Sequence, residues 1–197
     1  MARIQGVPPT SRNPLYRLSS WLVRRRFGRS MEPLRGYALS NPVMIGLAGL
    51  EMGMERAKQV NPRLAKLAEL RVAAVVGCPF CLDIGSAIVR RIGVPEAQLR
   101  DLNRYEDSPA FSALEKAVLR YADRMTATPV TVRDEDVSGL LAHFTEAQLV
   151  ELTAAIAHEN LRSRMNHALG YGAEGFSTGG VCALAAPAFA ASAAARS

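Results

Sequence analysis

The sequence predicts an all-α protein of one domain, and three observations carry that prediction. Apolar side chains recur at helical spacing almost without interruption from Pro14 to about Leu169. Runs of alternating polarity are few, and no segment repeats another. Prolines, glycines and capping residues punctuate the chain at intervals suited to helices of about 8–20 residues. The length of 197 residues, 49% hydrophobic and 21% charged, is that of one core-forming domain with an arm, and excludes global disorder. The expected organisation is an extended arm over residues 1–13, a helical domain over 14–184 and an alanine-rich tail over 185–197. The domain is expected to be a bundle of about seven or eight helices that assembles as a homo-oligomer.

The elements follow in order. The arm carries Pro8-Pro9 and no periodicity, and lacks the apolar stretch and cleavage site of a secretory signal. Pro14 to Phe27 places Leu15, Leu18 and Leu22 on one side and arginines on another. Pro42 to Val60 is apolar all round at first, with Gly46, Gly49 and Gly53 spaced for a close neighbour. Asn61-Pro62 reads as an N-cap and a first-turn proline, opening a helix to Val76 that Gly77 ends. Cys78-Pro79 opens the next helix, to Arg91, and Val94-Pro95 starts a short one with Leu99 and Leu102. Ser112 and Glu115 form a capping box ahead of the stripe Leu114, Val118, Tyr121, Met125. Thr128-Pro129 breaks the chain before a short helix near Asp134–Ala142.

A second capping box, Thr145 with Gln148, opens the longest helix. Leu149, Leu152 and Ile156 form one stripe of it, continued by Asn160, Ser163 and His167, while Leu161, Met165 and Leu169 lie opposite. A helix apolar on two sides is expected to be central or shared with another subunit. The polar continuation is either a satisfied network inside the fold or a wall facing substrate.

The net charge of +6 is confined to one end. Residues 1–35 carry eight basic side chains and one acidic, while the remaining 162 carry sixteen and seventeen. With no aromatic interleaving or binding motif behind the arginines, nucleic acid is not an expected partner. No apolar stretch approaches the ~20 residues of a membrane span, so no membrane association is expected. Arg24-Arg25-Arg26-Phe27 is similar to a twin-arginine signal, but the charged Met31-Glu32-Pro33 segment that follows argues against export, and the reducing cytoplasm is the expected compartment.

Of three cysteines, two form a C-x-x-C pair, Cys78 and Cys81, at the start of a helix. Free N–H groups and the macrodipole there favour a thiolate, so a thiol pKa near or below ~7 is expected against ~8.5 for a free cysteine. Two such thiols are within disulfide reach, with one sulfur attacking and the other resolving. Zinc requires two further ligands from Cys182 and three scattered histidines, and a pair of buried structural cysteines is the remaining alternative. A thioredoxin-type fold is excluded for want of strands, and neither a cofactor nor a metal is expected.

The stretch LAELRVAAVVGCPFCLDIGSAIVRRIGVPEAQL, Leu67 to Leu99, resembles the central motif of the alkylhydroperoxidase-D-like, carboxymuconolactone decarboxylase superfamily. QLVELTAAIAHENLRSRMNHALG (Gln148 to Gly170) and GFSTGGVCAL (Gly175 to Leu184) resemble the second half of a cysteine-bearing branch. The resemblance implies an all-α oligomer in which Cys81 attacks a hydroperoxide and Cys78 resolves it as a disulfide. It also implies a relay glutamate and histidine at positions that here hold Lys66 and Gly85. Glu69, about 60° round the same helix from Lys66, is the expected replacement, with Lys66 available to lower a thiol pKa. Asp83 is a weaker one, and Cys182 is read as an inert buried cysteine with thiol exchange as its alternative.

The expected activity is therefore thiol-dependent reduction of hydroperoxides or of the disulfides of a partner protein. Two alternatives stand beside it. One is a decarboxylase acting on a small carboxylate or lactone held by Arg71, Arg162 or Arg164. The other is a non-catalytic helical oligomer whose basic helix, Arg17–Arg29, docks onto a partner.

Overall fold

In the computed structural model, which describes residues 2–177, nine α-helices follow one another with no strand among the described residues. They are α1 (Pro14–Phe27), α2 (Glu32–Tyr37), α3 (Asn41–Arg56), α4 (Pro62–Val76), α5 (Pro79–Arg91), α6 (Glu96–Asp101), α7 (Ala113–Thr126), α8 (Asp134–Leu141) and α9 (Glu146–Leu169). A 3₁₀ turn, Leu102–Arg104, follows α6. The helix missing from the sequence reading is α2, whose six residues are too few to display a period.

Helix ends are set by side-chain caps, the expected ones at Asn61, Ser112 and Thr145 and one more at Asn13. Asn13 accepts the N–H groups of Leu15 and Tyr16, and Asn61 accepts that of Arg63. Both capping boxes form, Ser112 with Glu115 and Thr145 with Gln148. The end of α3 differs: it stops at Arg56 rather than near Val60. Glu151 on α9 accepts the N–H groups of Gln59 and Val60, at 2.7 and 3.1 Å, and so draws the chain out of the helix.

The central helix is α4, which packs against α5, α7 and α9. Leu67, Leu70, Ala73 and Ala74 face one apolar cluster, shared with α5. Leu64, Ala65, Ala68 and Val72 face a second, shared with α7 and α9. Within the chain, the helix buried on two sides is thus α4. In α9, Leu149, Leu152 and Ile156 are buried, but Leu161 on the opposite side is 41% exposed.

The arm is extended and docked. Arg3 N–H donates to Leu169 O and Val7 N–H to Arg35 O. At Gly6, with φ +68°, a β-carbon would stand 2.6 Å from the Arg35 carbonyl carbon, so only glycine permits that approach. No described helix is long and apolar enough to cross a membrane.

Candidate functional site

Gly77 ends α4 in a left-handed conformation, with φ +74°, and the chain turns at once into α5 with Cys78 as N-cap. Proline at the first helical position lacks an N–H in a turn where that group has no partner anyway. The two sulfurs are brought to 2.7 Å, and Cys78 Sγ also accepts the Cys81 N–H at 3.2 Å. Both cysteines are free and buried. Closing to the about 2.05 Å of a disulfide requires only a small side-chain movement.

The environment of Cys81 corrects one expectation. Its thiol is pushed up rather than down, first by its hydrogen bond to Cys78, then by burial, then by the charge of Glu159. The helix start offers its N–H to Cys78 Sγ instead, and Cys81 itself is buried. Opposing these, the Ser163 hydroxyl favours the Cys81 thiolate, and Asn166 Nδ2 donates to Cys81 Sγ at 3.3 Å.

Glu159, Ser163 and Asn166 stand at i, i+4 and i+7 on α9, one stripe of the helix, and all three are buried. Ser163 Oγ donates to Glu159 Oε1 at 2.6 Å. The other carboxylate oxygen, Oε2, is held by Arg162 Nε at 3.0 Å. Arg162 Nη1 also reaches Glu51 Oε1 at 2.8 Å, and Nη2 lies 3.4 Å from Glu69 Oε2. Burial alone would lower the Arg162 pKa, but the charges of Glu159, Glu51 and Glu69 hold it well above its usual value.

Glu69, the expected relay carboxylate, lies in this ion-pair cluster. Lys66 Nζ donates to both its oxygens, at 2.7 and 2.8 Å, which also occupies the lysine. The carboxylate whose charge reaches Cys81 is Glu159, which the sequence reading passed over. Its signal was present: a glutamate four residues before Ser163, close to the line that Leu152 and Ile156 begin. Of the polar stripe expected on α9, Asn160 is satisfied inside the fold, donating to Thr126 Oγ1 and Ile156 O. His167 is exposed, with Nδ1 3.0 Å from Gly77 O.

Asp83 is an anchor. Its carboxylate accepts the N–H groups of Glu174, Phe176 and Ser177 at 2.8, 3.0 and 2.8 Å, fastening the last described residues across α5. Burial raises its pKa, but those bonds outweigh burial and leave it below the usual carboxylate value. Phe176 then stacks edge-on against Phe27 and Phe80, each at 6.2 Å between centroids, beside the C-x-x-C. Asp83→Ala is expected to cost about 2–4 kcal/mol at neutral pH, because three N–H groups lose a charged acceptor. Since the folded-state pKa is depressed, this stability is fully present above the unfolded value and is lost as pH falls through the folded one. Denaturant unfolding of both proteins should therefore show the difference shrinking below about pH 4.

Gly85, at the position of the resemblance's histidine, packs against α4. A β-carbon there would lie 3.0 Å from Leu70 Cδ1. The space a histidine would need is filled by the core, so Gly85→His should destabilise by about 1–3 kcal/mol in denaturant unfolding. The arginines considered for carboxylate binding have partners within the chain. Arg71 is bidentate to Asp123, at 2.6 and 3.1 Å, and Arg164 donates to Thr126 O at 2.8 Å. Cys182 lies outside the described residues.

A model of the carboxymuconolactone decarboxylase family matches residues 42–124. The uncharacterized protein YnjA of Escherichia coli (strain K12) is 35% identical over 173 residues, spanning 86% of this chain and 94% of YnjA. Among solved structures, the alkylhydroperoxidase AhpD core of an uncharacterized peroxidase-related protein from Ralstonia eutropha JMP134 superposes with a TM-score of 0.78 at 18% identity, over 89% of this chain and 94% of that one. A variant of the debrominase Bmp8 in complex with 2,3,4-tribromopyrrole superposes with a TM-score of 0.77 at 17% identity, over 88% of this chain and 92% of that one. At such identities the structural likeness establishes the fold, while the sequence relationship establishes descent: the chain belongs to the carboxymuconolactone decarboxylase family, in its alkylhydroperoxidase-D-like all-helical form.

Proposed function

We propose that the protein is a thiol-dependent oxidoreductase that reduces hydroperoxides through Cys78 and Cys81. The observation that carries this reading is the pair of buried free sulfurs 2.7 Å apart, with the Ser163 hydroxyl hydrogen-bonded to Glu159 beside Cys81. The fold alone does not select a substrate, since folds host many chemistries and Bmp8, a debrominase, shares this one.

In the proposed cycle the Cys81 proton passes through Ser163 Oγ to Glu159 Oε1. The transfer creates the nucleophile and removes the carboxylate charge that disfavours it. The Cys81 thiolate attacks one peroxide oxygen, an S–O bond forms and the O–O bond breaks. The departing alkoxide takes the proton back from Glu159 through Ser163 and leaves as an alcohol. Cys78 then attacks the sulfenic sulfur, the S–S bond forms, and the hydroxyl leaves with the Cys78 proton as water. A dithiol reductant returns two electrons and two protons to the disulfide. With a partner disulfide as substrate, the same thiolate attacks sulfur and Cys78 resolves the mixed disulfide.

Mass spectrometry after one equivalent of an alkyl hydroperoxide tests the reading. The expected product is an intramolecular Cys78–Cys81 disulfide, two hydrogens lighter than the reduced chain. Recovery of both cysteines as free thiols, with neither disulfide nor sulfenate, overturns it. The decarboxylase alternative gains no comparable support, because Arg71, Arg162 and Arg164 are engaged with partners of their own.

A further inference from the structure

Cys81 has a second polar neighbour that the proton path does not use. Asn166 is buried on α9, three residues beyond Ser163 and therefore on the same face. Its Nδ2 donates to Cys81 Sγ at 3.3 Å, and its Oδ1 accepts the hydroxyl of Tyr37 from α2. An amide free to turn can present either end to a sulfur. Here the Tyr37 hydroxyl is a donor, and its pKa is raised by burial and then by the neighbouring Cys81, so it stays protonated and holds Oδ1 to itself. That leaves the N–H₂ end facing the sulfur. Gly36, beside Tyr37, helps to seat this arrangement: a β-carbon there would stand 1.7 Å from the hydroxyl of Tyr171, whose ring packs edge-on against Tyr37 at 6.5 Å.

Resting on the thiol chemistry proposed above, we infer that Asn166 is a catalytic residue, the fixed donor that stabilises the Cys81 thiolate, and that Tyr37 is the positioning residue that keeps its N–H₂ group aimed. Ser163 and Asn166 form a two-point cradle for the sulfur. Ser163 carries the proton away, while Asn166, which exchanges no proton, supports the charge left behind. A preorganised donor in a buried site is worth more than the same donor in water, because it replaces solvent without reorganising. The inference also gives α2 a role, since this helix of six residues carries the Tyr37 hydroxyl that binds the Asn166 amide.

The pH dependence of iodoacetamide labelling, read at Cys81 by fragment-ion mass spectrometry on the full reduced chain, tests this. Asn166→Ala should raise the labelling midpoint by about one pH unit and slow labelling below the midpoint about tenfold, the scale of a hydrogen bond to a charged group. Asn166→Asp, which replaces the donor with a carboxylate, should raise the midpoint further. Tyr37→Phe should move it in the same direction by a smaller amount, since the amide remains but is free to turn. A packing role alone would alter stability and leave the midpoint in place. Unchanged midpoints in Asn166→Ala and Tyr37→Phe, with helix content intact by circular dichroism, overturn the inference; if Asn166→Ala fails to fold, Tyr37→Phe decides. The two proposals separate cleanly. A wild-type chain inert to peroxide whose midpoint still moves in Asn166→Ala loses the peroxidase reading and keeps the donor. A chain that oxidises normally with an immovable midpoint keeps the reading and loses the donor.

Discussion

Cys81→Ser is expected to abolish peroxide consumption, leaving only the rate of the uncatalysed reaction with the reductant. The serine hydroxyl is isosteric enough to sit at the start of α5, but it cannot attack an O–O bond or carry the sulfenic oxygen. The companion variant Cys78→Ser is expected to behave differently. It retains the attacking sulfur, so one equivalent of peroxide should be reduced and the protein should gain the mass of one oxygen at Cys81. Turnover then stops, because no thiol stands 2.7 Å away to resolve it. Stopped-flow peroxide consumption combined with intact mass distinguishes the two. If Cys81→Ser instead reduces one equivalent and gains the oxygen at Cys78 while Cys78→Ser consumes no peroxide, the roles assigned to the two sulfurs are exchanged. If both retain it, the C-x-x-C is not the reacting pair.

Glu159→Gln should have the second-largest effect, about 10²-fold or more in the rate of peroxide reduction, the usual range for a positioned proton acceptor. Glutamine accepts the Ser163 hydroxyl bond but cannot take the proton. The sign of its effect on the thiol is opposite to its effect on rate. Glu159 raises the Cys81 pKa through its charge, so the neutral variant should titrate lower and label faster with iodoacetamide near neutral pH. A variant whose thiol is more available yet whose peroxide reaction is slower identifies proton transfer as the lost step. Glu69→Gln supplies the contrast: it loosens Lys66 and part of the Arg162 cluster and should slow peroxide reduction far less. Equal losses in the two variants would return Glu69 to the relay. Parallel measurement of rate and labelling midpoint in both variants settles which carboxylate receives the proton.

These two residues mark the boundary of what could be read in advance. Cys78 and Cys81 are three positions apart, just after a glycine stop and on either side of a proline start, so their proximity is a local property of the chain. The same holds for the caps at Asn61, Ser112 and Thr145, whose partners lie two or three residues on. Glu159 and Asn166 are 78 and 85 residues from Cys81, and what makes them neighbours is the rotation of α9 about its own axis against α5. At ~100° per residue, a stripe misread by one position turns a side chain to another face. Of the stripe Asn160, Ser163 and His167, the first is satisfied inside the fold, the second lies between Glu159 and Cys81, and the third is exposed, while the residues just before its ends, Glu159 and Asn166, are buried.

The departures at Lys66 and Gly85 show the same division. From the sequence they look like losses from a relay. In the fold, Lys66 is an ion-pair partner of Glu69, and Gly85 lets α5 approach Leu70, while α9 brings Glu159, Ser163 and Asn166 to the side of Cys81. Asp83 looks like a spare carboxylate, but three backbone N–H groups from the C-terminal segment claim it. The sequence by itself determined the helical class, most helix ends and the two sulfurs, because those follow from periodicity, capping and chain neighbours. Only the tertiary structure decided which charge and which donors meet Cys81 and which way its pKa moves, because those depend on burial and on contacts between helices distant in the chain.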